Sequence, residues 1–119
     1  MLGFMYGNGE GVEKNEKEAY KWYLMASEQG NIKGQTNLGF LLSDDFSEIQ
    51  DYEEAAKWLS KAADQGEGMA QEQLGLLYYT GRGVQKDFDK AFAWYFKASM
   101  RGSMEAERMI EVMRARGEV

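Results

Sequence analysis

The stretch Leu74-Gly75-Leu76-Leu77-Tyr78-Tyr79-Thr80-Gly81-Arg82-Gly83-Val84, continued by Lys90-Ala91-Phe92-Ala93-Trp94-Tyr95-Phe96-Lys97-Ala98 and closed by Gly102, decides the fold, because a shift of 36 residues superimposes it on the rest of the chain. The offset carries Trp94 back to Trp58 and Trp22, and these are all three tryptophans of the sequence. It also relates Leu74-Gly75 to Leu38-Gly39 and Leu2-Gly3, Ala91 to Ala55 and Ala19, Ala98 to Ala62 and Ala26, and Gly102 to Gly66 and Gly30. Tyr78 falls on Leu42 and Tyr6. The loop Gly81-Arg82-Gly83-Val84 recurs as Gly9-Glu10-Gly11-Val12, whereas the middle copy reads Asp45-Phe46-Ser47-Glu48.

Each unit reads as two helices. Asn15, Asp51 and Asp87 occupy the N-cap position of the second helix, and Glu18 and Glu54 follow three residues later as in a capping box. Ala19, Trp22, Tyr23 and Ala26 then keep i, i+3, i+4, i+7 spacing, as do Ala55, Trp58, Leu59 and Ala62, and Ala91, Trp94, Tyr95 and Ala98. That stripe, tryptophans included, is assigned to the core. Gly30, Gly66 and Gly102 supply the left-handed residue that ends the helix after roughly 14 residues, about 21 Å. The first helix is shorter and carries a glycine at 39 and 75, which costs about 1 kcal/mol relative to Ala and so implies close approach by the partner helix.

Composition agrees with an all-α chain and narrows its function. The 119 residues suit one domain; there is no Pro to interrupt a helix, and 44% hydrophobic with 29% charged residues supports a buried core. No stretch is long and apolar enough to span a bilayer. Zero Cys and zero His remove thiolate and imidazole ligands, cysteine nucleophiles and the commonest general base, so no cofactor, metal or catalytic residue is assigned. The net charge of −6 disfavours nucleic acid as a partner. The first residues, Met1-Leu2-Gly3-Phe4, lack the features of a secretory leader, and the expectation is a cytoplasmic protein without membrane insertion.

The motif Leu-Gly-x-x-Tyr-x-x-Gly-x-Gly-Val, then Lys-Ala-x-x-Trp-Tyr-x-x-Ala and a closing Gly, resembles the Sel1-like repeat, a relative of the tetratricopeptide repeat. The resemblance implies an all-α, right-handed α/α superhelix of about three helix-turn-helix repeats plus a C-terminal helix. One array over 1–119 is expected: a truncated first repeat at 1–30, repeats at 31–66 and 67–102, and a partial repeat at 103–119, where Ala106 aligns with Ala70 and Ile110 with Leu74. It further implies a non-enzymatic adaptor that assembles protein complexes, often in bacterial signalling or host interaction.

Other motifs have simpler readings. Gly7-Asn8-Gly9-Glu10-Gly11 has neither a preceding strand nor a following Gly-Lys-Ser/Thr, so it is an inter-helix turn rather than a phosphate loop. Asp44, Asp45, Ser47, Glu48 and Asp51 fit no EF-hand spacing and read as a solvated acidic turn with Asp51 as a cap. Arg108, Arg114 and Arg116 lie among Glu105, Glu107, Glu111 and Glu118, as on a solvated helix. In a solenoid the first helices line a concave face, the usual seat of a peptide or partner helix. With Leu38 and Leu42 as core, that face carries Asn37, Leu41 and Asp44, and in the next copy Gln73, Leu77 and Thr80. The amides would hydrogen-bond a partner backbone and the leucines would supply apolar contact. The alternative is a self-assembling module, dimerising end to end or by helix exchange through incomplete solenoid ends.

Overall fold

The computed structural model describes residues 12–119, with side chains from Glu16 onward. The first copies of the Leu-Gly pair, Tyr6 and the Gly9–Val12 loop, as well as the glycine-rich turn from Gly7 to Gly11, fall wholly or mainly outside the described residues. Among those residues there are six helices and no strand. They are α1 (Val12–Glu28), α2 (Ile32–Leu42), α3 (Tyr52–Asp64), α4 (Gly68–Thr80), α5 (Phe88–Met100) and α6 (Met104–Ala115). Each packs on the next in sequence, and α2 also touches α4, so the first helices of the second and third repeats lie side by side.

Capping chemistry starts most of these helices. Asp51 and Asp87, both extended, accept hydrogen bonds from the Glu54 and Lys90 backbone N–H at 3.1 and 3.0 Å. Asn31 and Ser103 do the same for α2 and α6, toward Gly34 N–H at 2.7 Å and Ala106 N–H at 3.0 Å. The first copy departs from the expected start: α1 begins at Val12, so Asn15 lies inside the helix and not at its N-cap. The capping box is also only half realised at α3, since the Glu54 carboxylate accepts from Tyr20 Oη at 3.0 Å and from Trp58 Nε1 at 3.3 Å. The Asp51 N–H it would have met donates instead to Leu42 O at 2.8 Å.

The core runs through the stack in two adjoining clusters. Leu38 and Leu42 of α2 meet Ala55, Ala56, Leu59, Ala62 and Ala63 of α3 and Ala70, Leu74 and Leu77 of α4. Ala91, Tyr95 and Ala98 of α5 meet Ala106, Ile110 and Met113 of α6. The alanines let helix axes approach, and the two glycines complete that approach. A Cβ at Gly39 would stand 2.4 Å from Leu59 Cδ2, and one at Gly75 would stand 3.0 Å from Tyr95 Cδ1. The recurring glycine therefore faces the large residue of its own second helix.

The two inter-helix loops differ in chemistry and arrive at the same place. Asp87 N–H donates to Tyr78 O at 3.0 Å, as Asp51 N–H does to Leu42 O. In the third copy Gly83 has φ 74°, and a Cβ there would lie 2.2 Å from Tyr52 O, so this loop rests backbone against backbone on the start of α3. The middle copy reaches its cap through turns held by Asp44 and Ser47, whose side chains accept from the N–H groups of Phe46 and Ile49. The tryptophans refine the sequence reading: Trp22 is 46% exposed, whereas Trp58 and Trp94 are half-buried and pack against the core cluster of Leu38, Leu59 and Leu74. Their rings cover the flank of the second helices. Lys61 lies over Trp58 and Lys97 over Trp94, at 5.7 and 4.7 Å from the ring centroids.

Candidate functional site

Buried Gln35, Leu38, Gly39 and Leu42 define the inward arc of α2. At about 100° per residue, the opposite direction is held by Lys33, Asn37 and Phe40, and exposed Asp44 follows just beyond the end of the helix. The same arc on α4 turns Met69, Gln73, Leu76 and Thr80 outward. These residues form one strip across the contacting first helices.

Of the residues expected on this face, Asn37, Asp44 and Thr80 are exposed, and Gln73 and Leu41 are half-buried. Gln73 Nε2 donates to Ser43 Oγ at 3.2 Å and so ties α4 to the end of α2. Asp44 Oδ1 accepts from Phe46 N–H at 2.9 Å, and Thr80 Oγ1 donates to Leu76 O at 2.9 Å; each keeps further lone-pair capacity. Leu77 must be corrected. It is 1% exposed and belongs to the core shared by α2, α3 and α4, where no partner can reach it. The position lies on the flank of the helix, and its equivalents Leu41 and Met113 are half-buried and fully buried.

The outward apolar residues are instead Phe40, half-buried, and Leu76, 38% exposed. Sequence reasoning missed them because it took the face adjacent to Leu38 and Leu42, which carries Leu41 on the helix flank at about 80° from the core direction, whereas Phe40 and Leu76 lie about 180° from it.

The acidic connection is engaged within the fold. Arg82 reaches across from the next loop to Asp45 Oδ2 at 3.4 Å and Tyr52 Oη at 3.1 Å, while Tyr52 Oη itself donates to Asp45. Glu48 N–H donates to Glu16 Oε1 at 3.1 Å, and Asp51 caps α3. Among the described residues no three acids converge as a metal site requires. The C-terminal arginines are likewise in use: Arg108 pairs with Glu105, Arg114 lies over Phe92, and Arg116 donates to Tyr79 Oη at 2.9 Å. The shifted titrations among the described residues are three tyrosines and Arg108, which its Glu105 hydrogen bond raises. Burial raises Tyr95 above its ordinary value, and burial and then the Glu54 hydrogen bond raise Tyr20. No described helix is long and apolar enough to cross a membrane.

Comparison with known proteins places this geometry. No curated protein matches the chain. Among solved structures, a Sel1 repeat protein from Oxalobacter formigenes is 37% identical, with a TM-score of 0.82 over 98% of this chain and 47% of its own. The protein c5321, a protective antigen of uropathogenic Escherichia coli with an SLR fold, is 34% identical, with a TM-score of 0.85 over 98% of this chain and 25% of its own. The chain thus spans about half and a quarter of these two proteins. Cysteine-rich protein B of Helicobacter pylori, 22% identical with a TM-score of 0.58, shares the fold over 86% of this chain and 99% of its own. The Sel1 repeat family matches residues 1–31, 32–67 and 68–103, a register in which Trp22, Trp58 and Trp94 recur at one position and Gly39 and Gly75 at another; the chain belongs to the Sel1 repeat family.

Proposed function

We propose that this chain is a non-enzymatic adaptor that binds a peptide or a partner protein along the concave strip formed by α2 and α4. Sel1 repeat proteins are generally protein-interaction scaffolds. The observation that supports the strip is its chemistry: Phe40 and Leu76 offer apolar contact between the polar ends of Asn37, Asp44, Gln73 and Thr80, on a surface whose interior is already filled. Apolar centres flanked by hydrogen-bonding groups suit a peptide, whose backbone needs both donors and acceptors. Immobilised wild-type protein is compared with a Phe40→Glu/Leu76→Glu variant in lysate of the source organism, with Lys57→Glu as a control on exposed α3 surface. The proposal expects a protein retained by wild type and Lys57→Glu and lost by the double variant. Equal retention by all three would remove the strip from the account.

A second reading, self-association through the C-terminal end, is favoured by Phe96, which is 48% exposed and stacked on Phe92 with centroids 6.2 Å apart. Light scattering across a concentration series tests it. A mass rising toward the dimer supports it, and a constant monomer mass excludes it.

A further inference from the structure

One polar atom in the described core lacks a hydrogen bond, and the repeat explains why. Gln35 and Gln71 are equivalent, 3% and 4% exposed, and each side-chain amide donates to the end of the preceding second helix. Gln35 Nε2 meets Ser27 O at 3.3 Å, and Gln71 Nε2 meets Ala63 O at 3.2 Å. The Gln35 carbonyl is completed by Gln65 Nε2 at 3.3 Å. Thirty-six residues on from Gln65 stands Arg101, which does not bond to the Gln71 carbonyl. Its guanidinium lies over Gly66, 2.4 Å from where a Cβ would be, and Gln71 Oε1 is left without a donor. A buried acceptor without a partner is costly, and it is uncommon enough to require a physical reason.

The surroundings of Gln71 suggest that reason. It lines an open cleft of about 480 Å³ between the C-terminal ends of α3 and α5, with Arg101, Lys97, Met100 and Asp64 on the rim. Among the described residues no carboxylate lies within 4.0 Å of Arg101 or Lys97, so in a chain of net charge −6 this rim presents two unneutralised cations against one acid. Met100, 74% exposed, adds a flexible apolar wall.

We propose that this cleft binds the C-terminal end of a peptide, a site separate from the α2–α4 strip. The terminal carboxylate meets Arg101 and Lys97, the last amide N–H donates to Gln71 Oε1, and the last side chain lies on Met100. Gln71 Oε1 is closed to solvent, so binding requires a neighbouring side chain to shift, and exposed Arg101, which lines the same cleft, is the one that would move as it engages the carboxylate. This demand for an anion beside a donor distinguishes a peptide terminus from a simple carboxylate.

Calorimetric titration of the full chain with N-acetyl-Ala-Ala-Leu as the free acid, its C-terminal amide, and acetate tests the assignment. Two variants accompany it: Arg101→Gln, which restores the residue the preceding repeat uses and supplies Gln71 with an internal donor, and Gln71→Leu, which removes the acceptor. Helicity by circular dichroism is matched before titration. The expected result is saturable binding of the free acid by wild type, weakened at least about tenfold by amidation and by each substitution. Acetate should bind measurably more weakly than the peptide. Absence of binding by wild type, equal binding of acid and amide, acetate as effective as the peptide, or undiminished binding by Arg101→Gln would each overturn the proposal.

Discussion

A methyl group added at Gly39 would meet both Leu59 Cγ and Cδ2 at 2.4 Å, and Leu59 is wholly buried and cannot yield without moving α3. The same change at Gly75 meets the edge of the Tyr95 ring at 3.0 Å, a contact relieved by a shift of a few tenths of an ångström. Gly39→Ala should therefore cost about 1–3 kcal/mol in urea unfolding, and Gly75→Ala measurably less. Neighbouring leucines divide just as sharply. Leu77→Ala empties a core position and should cost about 2–5 kcal/mol, whereas Leu76→Ala should change stability by under about 1 kcal/mol. Tyr95 contributes to the loss of stability at alkaline pH. Its burial keeps the hydroxyl protonated above the ordinary 10.0, so the unfolded chain holds fewer protons than the folded one once pH passes that value. Stability from this group is complete below pH 10 and is lost as pH rises beyond it. Tyr95→Phe should flatten that decline in a series of melts at increasing pH.

At the scale of the helix, the side chains that start each element were partly legible. Asp51 and Asp87 are caps as their spacing predicts, and replacing either by Ala should lower stability by about 1 kcal/mol, read from the urea midpoint. Asn31 and Ser103 cap the first helices yet escaped the pattern, because the intervening Glu67 makes no side-chain cap and instead pairs with Lys33 at 3.5 Å. Glu54 looked like the second half of a capping box, and tertiary structure redirected it to Tyr20 of the preceding repeat. A one-dimensional pattern identifies which residues can cap; it does not show which competing donors the fold brings near. The displaced face of α2 and α4 has a different origin: Leu38, Leu42 and Leu74 marked the core direction correctly, and the face expected beside them lies on the helix flank rather than opposite the core.

For the whole molecule, a period of 36 was enough to give the helix pairs, their order and their continuous core, because each repeat buries its stripes against its neighbours. Where the period changes chemistry, the structure shows a local cause. Glu111 stands where Gly39 and Gly75 stand, on a helix whose described surroundings include no second helix of its own repeat, and it is exposed. Arg101 stands where Gln65 stands and leaves Gln71 Oε1 without a donor. The tryptophans, the strongest sequence markers, proved to be partly exposed supports of the second helices, since a large ring with a polar N–H settles at a boundary more readily than in a close-packed interior. Whether a partner docks on the first-helix strip is read out by site-specific photocrosslinking. A benzophenone side chain placed at Phe40, Leu76 or exposed Ala93 of α5 is irradiated in lysate of the source organism, and adducts are identified by mass spectrometry. The same partner should be captured from positions 40 and 76 and not from 93; capture from 93 alone, or equally from all three, would place the binding face elsewhere.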